Sequence, residues 1–205
     1  MNLNIILAAL AVRRPIFHSE FDFQHELAWQ IHNSFRDSGI RLEFPIAVAD
    51  RRMEIDIWVT HEARRIAVEL KYKTRAANVN HFGEQFNLAQ HAATPLARYD
   101  TWRDVERLEC LRTAGLADEA WAIFLTNDSG YWSNRPARGN GAEFSLHEGR
   151  MVTHGNSPLV WQDPRNIDSI GAARVPGIAI SNTYNLRWVG YSAAPLHLRF
   201  LALNF

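Results

Sequence analysis

The sequence predicts a single mixed α/β domain in which helices flank a central mixed β-sheet. Three observations support this fold class. The 205 residues suit one domain with a sizeable core. Hydrophobic residues make up 47% and charged residues 21% of the chain, the balance of a soluble globular protein. Segments with helical spacing of apolar residues alternate with short runs of strand character, which is typical of α/β domains.

Local signals place the elements of this domain. Ser19 has the character of a helix N-cap, and Gly39 and Gly115 follow the ends of two helical patterns. Alternating or continuously apolar runs mark the strands, one of which Pro45 interrupts. The expected elements are a buried strand or short helix at 5–12, a helix at 19–37, a short strand at 42–48, a β-hairpin at 53–72, a helix at 78–91, a long helix at 96–112, a buried strand at 121–126, and strands at 184–191 and 196–205.

Residues 130–177 are predicted to be a loop-rich segment within the single domain 1–205. The segment contains seven of the eleven glycines and four of the eight prolines, and its apolar residues follow neither the helical nor the strand period. We expect this segment to influence the choice of substrate.

Charge and cysteine content exclude some classes of protein. With 22 basic and 22 acidic residues, the chain is not a histone-like binder, although positive charge can still be concentrated on one face. Cys110 is the single cysteine and can form no internal disulfide, which favours a reducing, cytoplasmic location. No segment has the length of a membrane span or the pattern of an export signal. Lys71 and Lys73 are the only lysines, against 20 arginines.

The hairpin at 53–72 has a predictable register. Apolar and polar residues alternate in both of its strands, so folding the chain between Glu62 and Ala63 brings apolar positions opposite each other. Residues 61–64 would form a four-residue loop. The expected pairs are Ile55 with Leu70, Ile57 with Val68, and Val59 with Ile66.

The same register places Asp56 directly opposite Glu69, where like charges destabilise a sheet. A cation, protonation or splaying into water must offset this repulsion. Lys71 lies on the same face, and the Leu70 carbonyl lies between it and Glu69. Two carboxylates and a carbonyl are the hard oxygen ligands that Mg²⁺ or Mn²⁺ prefers. The alternative is an ordinary solvated face on which Lys71 pairs with Glu54.

This pattern resembles the PD-(D/E)XK, or restriction-endonuclease-like, nuclease superfamily. The resemblance is carried by Asp56 and by Glu69-Leu70-Lys71 on the next strand, after a helix with an acidic residue; Ile55 replaces the proline of the motif. It covers about residues 17–128. Two further segments are similar to a group of bacterial members: Ser19-Glu20-Phe21-Asp22-Phe23-Gln24-His25 and Ala97-Arg98-Tyr99-Asp100-Thr101-Trp102.

The resemblance implies a restriction-endonuclease-like core that hydrolyses phosphodiester bonds in DNA with Mg²⁺ or Mn²⁺, in repair, restriction or defence. Asp56 and Glu69 would bind the metal together with the Leu70 carbonyl and a helix acid, Glu20. Lys71 would orient or help to activate the attacking water.

The helix acid is chosen between two residues. Glu20 is preferred to Glu26 because it shares the helix face of Leu27 and Ile31 and could reach the sheet. The alternative role for Glu20 is a first-turn carboxylate favoured by the helix dipole.

Three residues are candidates for contact with substrate phosphates or for support of the site. Gln90, Arg98 and Tyr99 stand where related proteins place a polar helix behind the site. The alternative is a surface helix whose arginines, including Arg107, alternate with acids such as Asp104.

Two other classes of function stay open. The fold could be a catalytically inactive module that binds nucleic acid or a partner protein, or a structural protein without a nucleic-acid role. The sequence leaves open DNA against RNA, one metal ion against two, and a monomer against a homodimer.

Overall fold

The structure is a computed structural model that describes residues 1–48, 51–153, 155, 158–165 and 171–205. It confirms a mixed α/β fold with helices on both faces of a central sheet. The α-helices are α1 (Leu3–Arg13), α2 (Glu20–Ser34), α3 (Thr94–Thr113) and α4 (Ser129–Trp132). The strands are β1 (Gly39–Val48), β2 (Arg51–His61), β3 (Arg64–Lys73), β4 (Ala77–His81), β5 (Glu84–Leu88), β6 (Glu119–Thr126), β7 (Met151–Val152), β8 (Tyr184–Asn185), β9 (Trp188–Gly190) and β10 (Arg199–Asn204).

The central sheet has six strands in the order β1-β2-β3-β6-β10-β9. Strands β3 and β6 are parallel, and the other neighbours are antiparallel. The connection between the parallel strands includes α3, as a parallel pair requires. Strands β4 and β5 form a separate two-stranded ribbon, and β7 pairs with β8.

Two hydrophobic cores cover the two faces of this sheet. On one face, α1 and α2 pack against β2, β3 and β6, with Leu27 and Ile31 of α2 fully buried. On the other face, α3 packs through Trp102 and Leu108, also fully buried. The loop-rich segment adds Phe144 and other apolar residues to this second core. Because each face is covered, a polar group in the middle of the sheet is removed from water.

The helix predictions are confirmed except at 78–91. Ser19 caps α2, since its Oγ accepts a hydrogen bond from the Asp22 N–H at 3.1 Å, and α2 ends at Ser34 rather than near residue 37. The apolar run near the N-terminus is the helix α1. None of the described helices combines the length and the apolar character needed to cross a membrane.

The predicted helix at 78–91 is wrong, because this segment forms the β4/β5 ribbon and the loop after it. The turn between the strands contains Phe82 and Gly83 at φ values of +50° and +78°, which the mirror-image hairpin turns require. Val79, Phe86 and Leu88 contribute the apolar side of the ribbon. The apolar residues of each short strand therefore recur at every second position, which is the period of a strand and not of a helix.

The strand at 42–48 begins earlier than predicted and continues through Pro45. It is the edge strand β1, and Pro45 lies opposite Glu54 of β2. An edge strand can contain proline because an amide on its open side needs no partner strand.

The predicted loop-rich segment at 130–177 contains mostly loops and short elements where it is described. Its residues 154, 156, 157 and 166–170 lie outside the described residues.

The predicted register of the β2/β3 hairpin is confirmed where the strands pair. Regular pairs run from Ile57 opposite Val68 to His61 opposite Arg64. The predicted pairs Ile55 with Leu70 and Asp56 with Glu69 are wrong, because regular pairing ends before them and Asp56 instead accepts a hydrogen bond from the Leu70 N–H. The loop is shorter than predicted, because it consists of Glu62 and Ala63 alone. Their φ values of +48° and +60° correspond to a type I′ turn.

The predicted alternation is wrong at one residue. Ile57 and Val59 pack on the α1/α2 face, but Ile55 packs on the α3 face. The backbone changes face at Asp56, and regular pairing with β1 also omits Asp56 and Glu43, whose φ is +49°. This local distortion opens the sheet beside β3.

Candidate active site

The predicted catalytic residues meet where β2 separates from β3, at a place that we call the β2/β3 gap. The regular pairs end two residues before Leu70, so the amides of Leu70 and Tyr72 need other acceptors. Asp56 Oδ2 accepts a hydrogen bond from the Leu70 N–H at 2.5 Å, and Glu20 Oε2 accepts one from the Tyr72 N–H at 2.6 Å. Two carboxylates thus occupy the place of a neighbouring strand.

Glu69 and Lys71 lie on the α3 face of the same strand. Glu69 is only 3% exposed, and its Oε1 lies 3.0 Å from Arg107 Nη2. Lys71 Nζ lies 2.5 Å from Asp104 Oδ2, and Arg107 Nη1 lies 3.2 Å from Asp104 Oδ1. Helix α3 therefore contributes a buried acidic side chain, Asp104, and a partly exposed cationic one, Arg107, to the gap.

The Leu70 carbonyl also faces the gap. The N–H and C=O of one strand residue point to the same side, and Asp56 receives that N–H. The carbonyl oxygen accepts a hydrogen bond from Lys71 Nζ at 3.2 Å. The structure thus brings together the two carboxylates, the carbonyl and the lysine that the motif names.

Burial and mutual repulsion act on the two carboxylates. Burial raises the pKa of Glu69 well above its ordinary value, and the charges of Asp104 and Asp56 raise it further, while Arg107 and Lys71 oppose them. Burial also raises the pKa of Asp56, against the Leu70 amide and the Lys71 charge. The two side chains are therefore close enough for their ionisation to be linked.

Lys71 stays charged. Burial opposes its positive charge, but neighbouring carboxylates, above all Asp104, outweigh burial and raise the pKa of Lys71. A lysine whose pKa is raised cannot accept a proton near neutral pH. Its chemical contribution is therefore a fixed positive charge, which narrows the predicted role to orienting water and offsetting negative charge.

Two buried carboxylate oxygens are incompletely bonded. Glu69 Oε1 and Asp104 Oδ2 are each within 3.0 Å of a cation, yet they make no hydrogen bond with the described residues. Both contacts are ion pairs, Arg107 with Glu69 and Lys71 with Asp104, in which the carboxylate oxygen completes no regular hydrogen bond. Buried polar atoms in this state need an explanation.

The donor set at the gap has the chemistry of a site for a hard cation. Among the described residues, no three acidic, histidine or cysteine side chains are grouped to hold a metal ion. The predicted set includes three such side chains, Asp56, Glu69 and Glu20, so the described structure does not assemble the full set. Asp56, Glu69 and the Leu70 carbonyl are the part of it that lies together at the gap. In the described surroundings, four carboxylates face three cations: Asp56, Glu69, Asp104 and Glu20 against Lys71, Lys73 and Arg107. Oxygen ligands with excess negative charge fit Mg²⁺ or Mn²⁺.

Glu20, and not Glu26, reaches the sheet. Besides the Tyr72 amide, Glu20 Oε2 receives Lys73 Nζ at 3.0 Å. Glu26 instead pairs with Arg13 at 2.6 Å and Arg14 at 3.2 Å, at the end of α1. The structure therefore places Glu20 two residues along β3 from the Asp56 contact.

Gln90, Arg98 and Tyr99 are not brought to the gap. Tyr99 is buried and its hydroxyl donates to the Pro176 carbonyl at 2.9 Å, which contradicts a role in substrate contact. Arg98 Nη2 donates to the Gly130 carbonyl at 2.7 Å. Gln90 lies in a loop rather than on a helix, and its Oε1 accepts from the Ala76 N–H at 3.2 Å.

Sequence reasoning missed residues that support the gap. Gln24 Nε2 donates to Glu43 Oε1 at 2.5 Å and to the Asp56 carbonyl at 2.7 Å. A signal was present, because this glutamine shares the buried helix face of Leu27 and Ile31. The roles of Asp104 and Arg107 had no such signal, since they depend on how α3 crosses the sheet.

Comparisons with known proteins give no match to this chain from any family model, curated protein or solved structure. The chemistry of the β2/β3 gap and the sequence motif are therefore what indicate a function for this chain.

Proposed function

We propose that the chain is a divalent-metal-dependent endonuclease that hydrolyses phosphodiester bonds in DNA, on a restriction-endonuclease-like core. One observation carries this proposal. Two carboxylates from neighbouring strands, the half-buried Asp56 and the buried Glu69, adjoin the Leu70 carbonyl and Lys71 at the point where the strands separate.

Without a bound cation, the grouping of Asp56, Glu69 and Asp104 costs free energy of folding. Burying like charges is costly, and a buried ion-pair network stabilises a protein only when its hydrogen bonds are complete. Glu69 Oε1 and Asp104 Oδ2 lack such bonds within the described structure. A divalent cation would offset the repulsion, and Glu69 Oε1 would gain a partner by coordinating it.

The residues of the chain have distinct parts in this proposal. Asp56, Glu69 and the Leu70 carbonyl would hold the cation, with Glu20 as the further acid along β3. When bound, a divalent cation supplies Lewis acidity, which lowers the pKa of a water molecule and stabilises negative charge on phosphate oxygens. Lys71 would orient the water and offset the developing negative charge, which its fixed charge allows.

A plasmid-cleavage assay tests the proposal. The wild type should cut DNA with Mg²⁺ or Mn²⁺ and stop with chelator, and Asp56→Asn should be inactive. The matched control is Asp118→Asn, because Asp118 also accepts a β3 amide, that of Arg65, at 2.8 Å. We expect the control to cut normally.

The assay has clear contrary outcomes. Cutting that continues in chelator would remove the metal from the proposal. Absence of cleavage of double-stranded DNA, single-stranded DNA and RNA in every divalent metal would reject the nuclease function.

A nucleic-acid-binding module without cleavage is the second candidate, and one observation favours it. Arg107 and Asp104 of α3 form ion pairs with Glu69 and Lys71. The same network could therefore be structural, linking α3 to the sheet with no part in catalysis. Steeply salt-dependent DNA binding with no cutting in any metal would support this candidate.

The cytoplasmic location and a homodimer stay predictions.

A further inference from the structure

One face of the β4/β5 ribbon consists of amide side chains. Asn78 lies opposite Asn87, and Asn80 lies opposite Gln85. Residues two apart in a strand share a face, so all four side chains project from the same side. All four are exposed, and Gln85 Nε2 lies 3.5 Å from Asn87 Oδ1. We call these four side chains the amide face.

The opposite face of the ribbon is packed, which fixes the direction of the amide face. Phe86 and Leu88 are buried against Ile16. The His18 ring stacks on the Phe86 ring at a centroid distance of 4.2 Å, and His18 Nε2 lies 2.8 Å from Glu84 Oε1. The ribbon is thus anchored to the segment before α2, with its amides outward.

An all-amide face is unusual for a strand and has a specific chemistry. Asparagine is depleted in strands, so ordinary strand propensity does not explain it. An amide both donates and accepts hydrogen bonds, whereas carboxylates only accept and lysine and arginine only donate. Adenine presents a donor beside an acceptor in the major groove, and asparagine or glutamine pairs with both. A two-stranded ribbon also fits that groove.

The tip of the ribbon presents an aromatic side chain. Phe82 is 90% exposed, and its φ of +50° is unfavourable for a bulky residue. Strained, exposed residues of this kind concentrate at binding sites. An aromatic side chain at the tip could contact a thymine methyl group or an exposed base face.

The ribbon begins close to the β2/β3 gap. Thr74 follows Lys73 directly. Its carbonyl accepts a hydrogen bond from the His91 N–H at 2.8 Å, and its own N–H donates to His91 Nδ1 at 2.9 Å. These bonds close the base of the ribbon three residues beyond Lys71. A five-residue strand such as β4 spans roughly 17 Å. That length corresponds to roughly five base pairs of duplex at 3.4 Å each.

We propose that the amide face reads adenine in the major groove of duplex DNA, beside the position of cleavage. This inference rests on the proposed nuclease function for its biological use, although binding can be tested without cleavage. It assigns sequence selection to the β4/β5 ribbon rather than to the loop-rich segment.

A binding selection tests the proposal. The probe is a pool of DNA duplexes randomised over one helical turn, bound to the full chain carrying Asp56→Asn so that nothing is cut. We expect enrichment of adenine at fixed positions. The same chain with Asn78→Ala, Asn80→Ala, Gln85→Ala and Asn87→Ala should lose that preference, by roughly 5- to 150-fold for each adenine contact. The matched control, Asn33→Ala with Asn204→Ala, removes exposed amides elsewhere and should keep it.

The outcomes separate the two proposals. No duplex binding, no adenine preference, or a preference that survives the fourfold substitution would overturn the ribbon proposal. Adenine-selective binding by a wild type that cuts no nucleic acid would reject the nuclease and retain the ribbon. If the fourfold variant unfolds on heating earlier than its parent, the paired variants Asn78→Ala/Asn87→Ala and Asn80→Ala/Gln85→Ala make the same test.

Discussion

Two glutamates, Glu69 on β3 and Glu109 on α3, are almost equally buried but have opposite surroundings. Glu69 is 3% exposed and Glu109 is 4% exposed. The Glu109 oxygens accept hydrogen bonds from the amides of Ser181 and Asn182, at 2.7 and 2.9 Å, and from the Tyr184 hydroxyl at 2.8 Å. Glu69 faces Arg107 and two other carboxylates, and its Oε1 makes no hydrogen bond with the described residues.

This difference shows that burial alone does not identify a functional acid. Neutral donors satisfy Glu109, which anchors the chain segment that leads into β8. Glu69 is buried at a cost, as the raised pKa indicates, and is suited to bind a cation.

The largest expected effect is on cleavage. Glu69→Gln should reduce the rate of DNA cleavage by about 1,000-fold or more, because the charged ligand to the metal is lost. Glu109→Gln should change the rate by less than about threefold, after correction for the folded fraction. Rates measured on one plasmid substrate at saturating Mg²⁺ give the comparison, and equal losses in both variants would contradict it.

The two lysines should differ in the same way. Lys71→Ala should reduce cleavage by about 100-fold, because the positive charge beside the gap disappears. Lys73→Ala should cost less, about tenfold or below, since Lys73 contacts Glu20 rather than Glu69. Single-turnover rates separate this effect from DNA binding. Full activity of Lys71→Ala would exclude the lysine from the mechanism.

For stability, we expect the opposite ranking of the two glutamates, with the larger loss in Glu109→Gln. Glu109→Gln turns an acceptor into a donor that faces other donors, which costs roughly 1–3 kcal/mol in the free energy of unfolding. The midpoint of thermal unfolding should fall by about 2–10 °C. In chelator at neutral pH, Glu69→Gln should unfold at the same temperature as the wild type or higher. Calorimetry of the three proteins makes the test, and a large loss in Glu69→Gln would identify a structural role.

The pH dependence provides the finest test. Because burial raises the pKa of folded Glu69 above the ordinary value of 4.5, its contribution to stability is complete below that value and is lost as the pH rises through the folded pKa. Without metal, the wild type should therefore become less stable relative to Glu69→Gln as the pH rises from about 4.5 to 8. Urea unfolding across this range measures the difference. A constant difference would show that Glu69 is not destabilised by its charge.

Local patterns explain why part of the fold could be predicted from the sequence. The pairing of Ile57 with Val68 follows from alternation on two adjacent runs, and the Ser19 cap follows from its own side chain. The predicted helix at 78–91 was wrong because its few apolar residues do not distinguish helix from strand. Val79 and Phe86 are seven positions apart, as on one helix face, whereas Phe86 and Leu88 are two apart, as in a strand. The predicted face of Ile55 was wrong because the strand changes face at Asp56, where a side-chain carboxylate rather than a backbone carbonyl accepts the Leu70 N–H, and the alternation of apolar residues carries no signal of this.

By itself, the sequence determined the mixed α/β fold class, the pairing of β2 with β3 from Ile57 to His61, and the proximity of Asp56, Glu69 and Lys71, since these depend mainly on residues close together in the chain. Only the tertiary structure decided that Asp104 and Arg107 enclose this group, and that Gln24 fixes the distorted strand. These contacts join separate elements, and the angle at which a helix crosses a sheet depends on packing over the whole face.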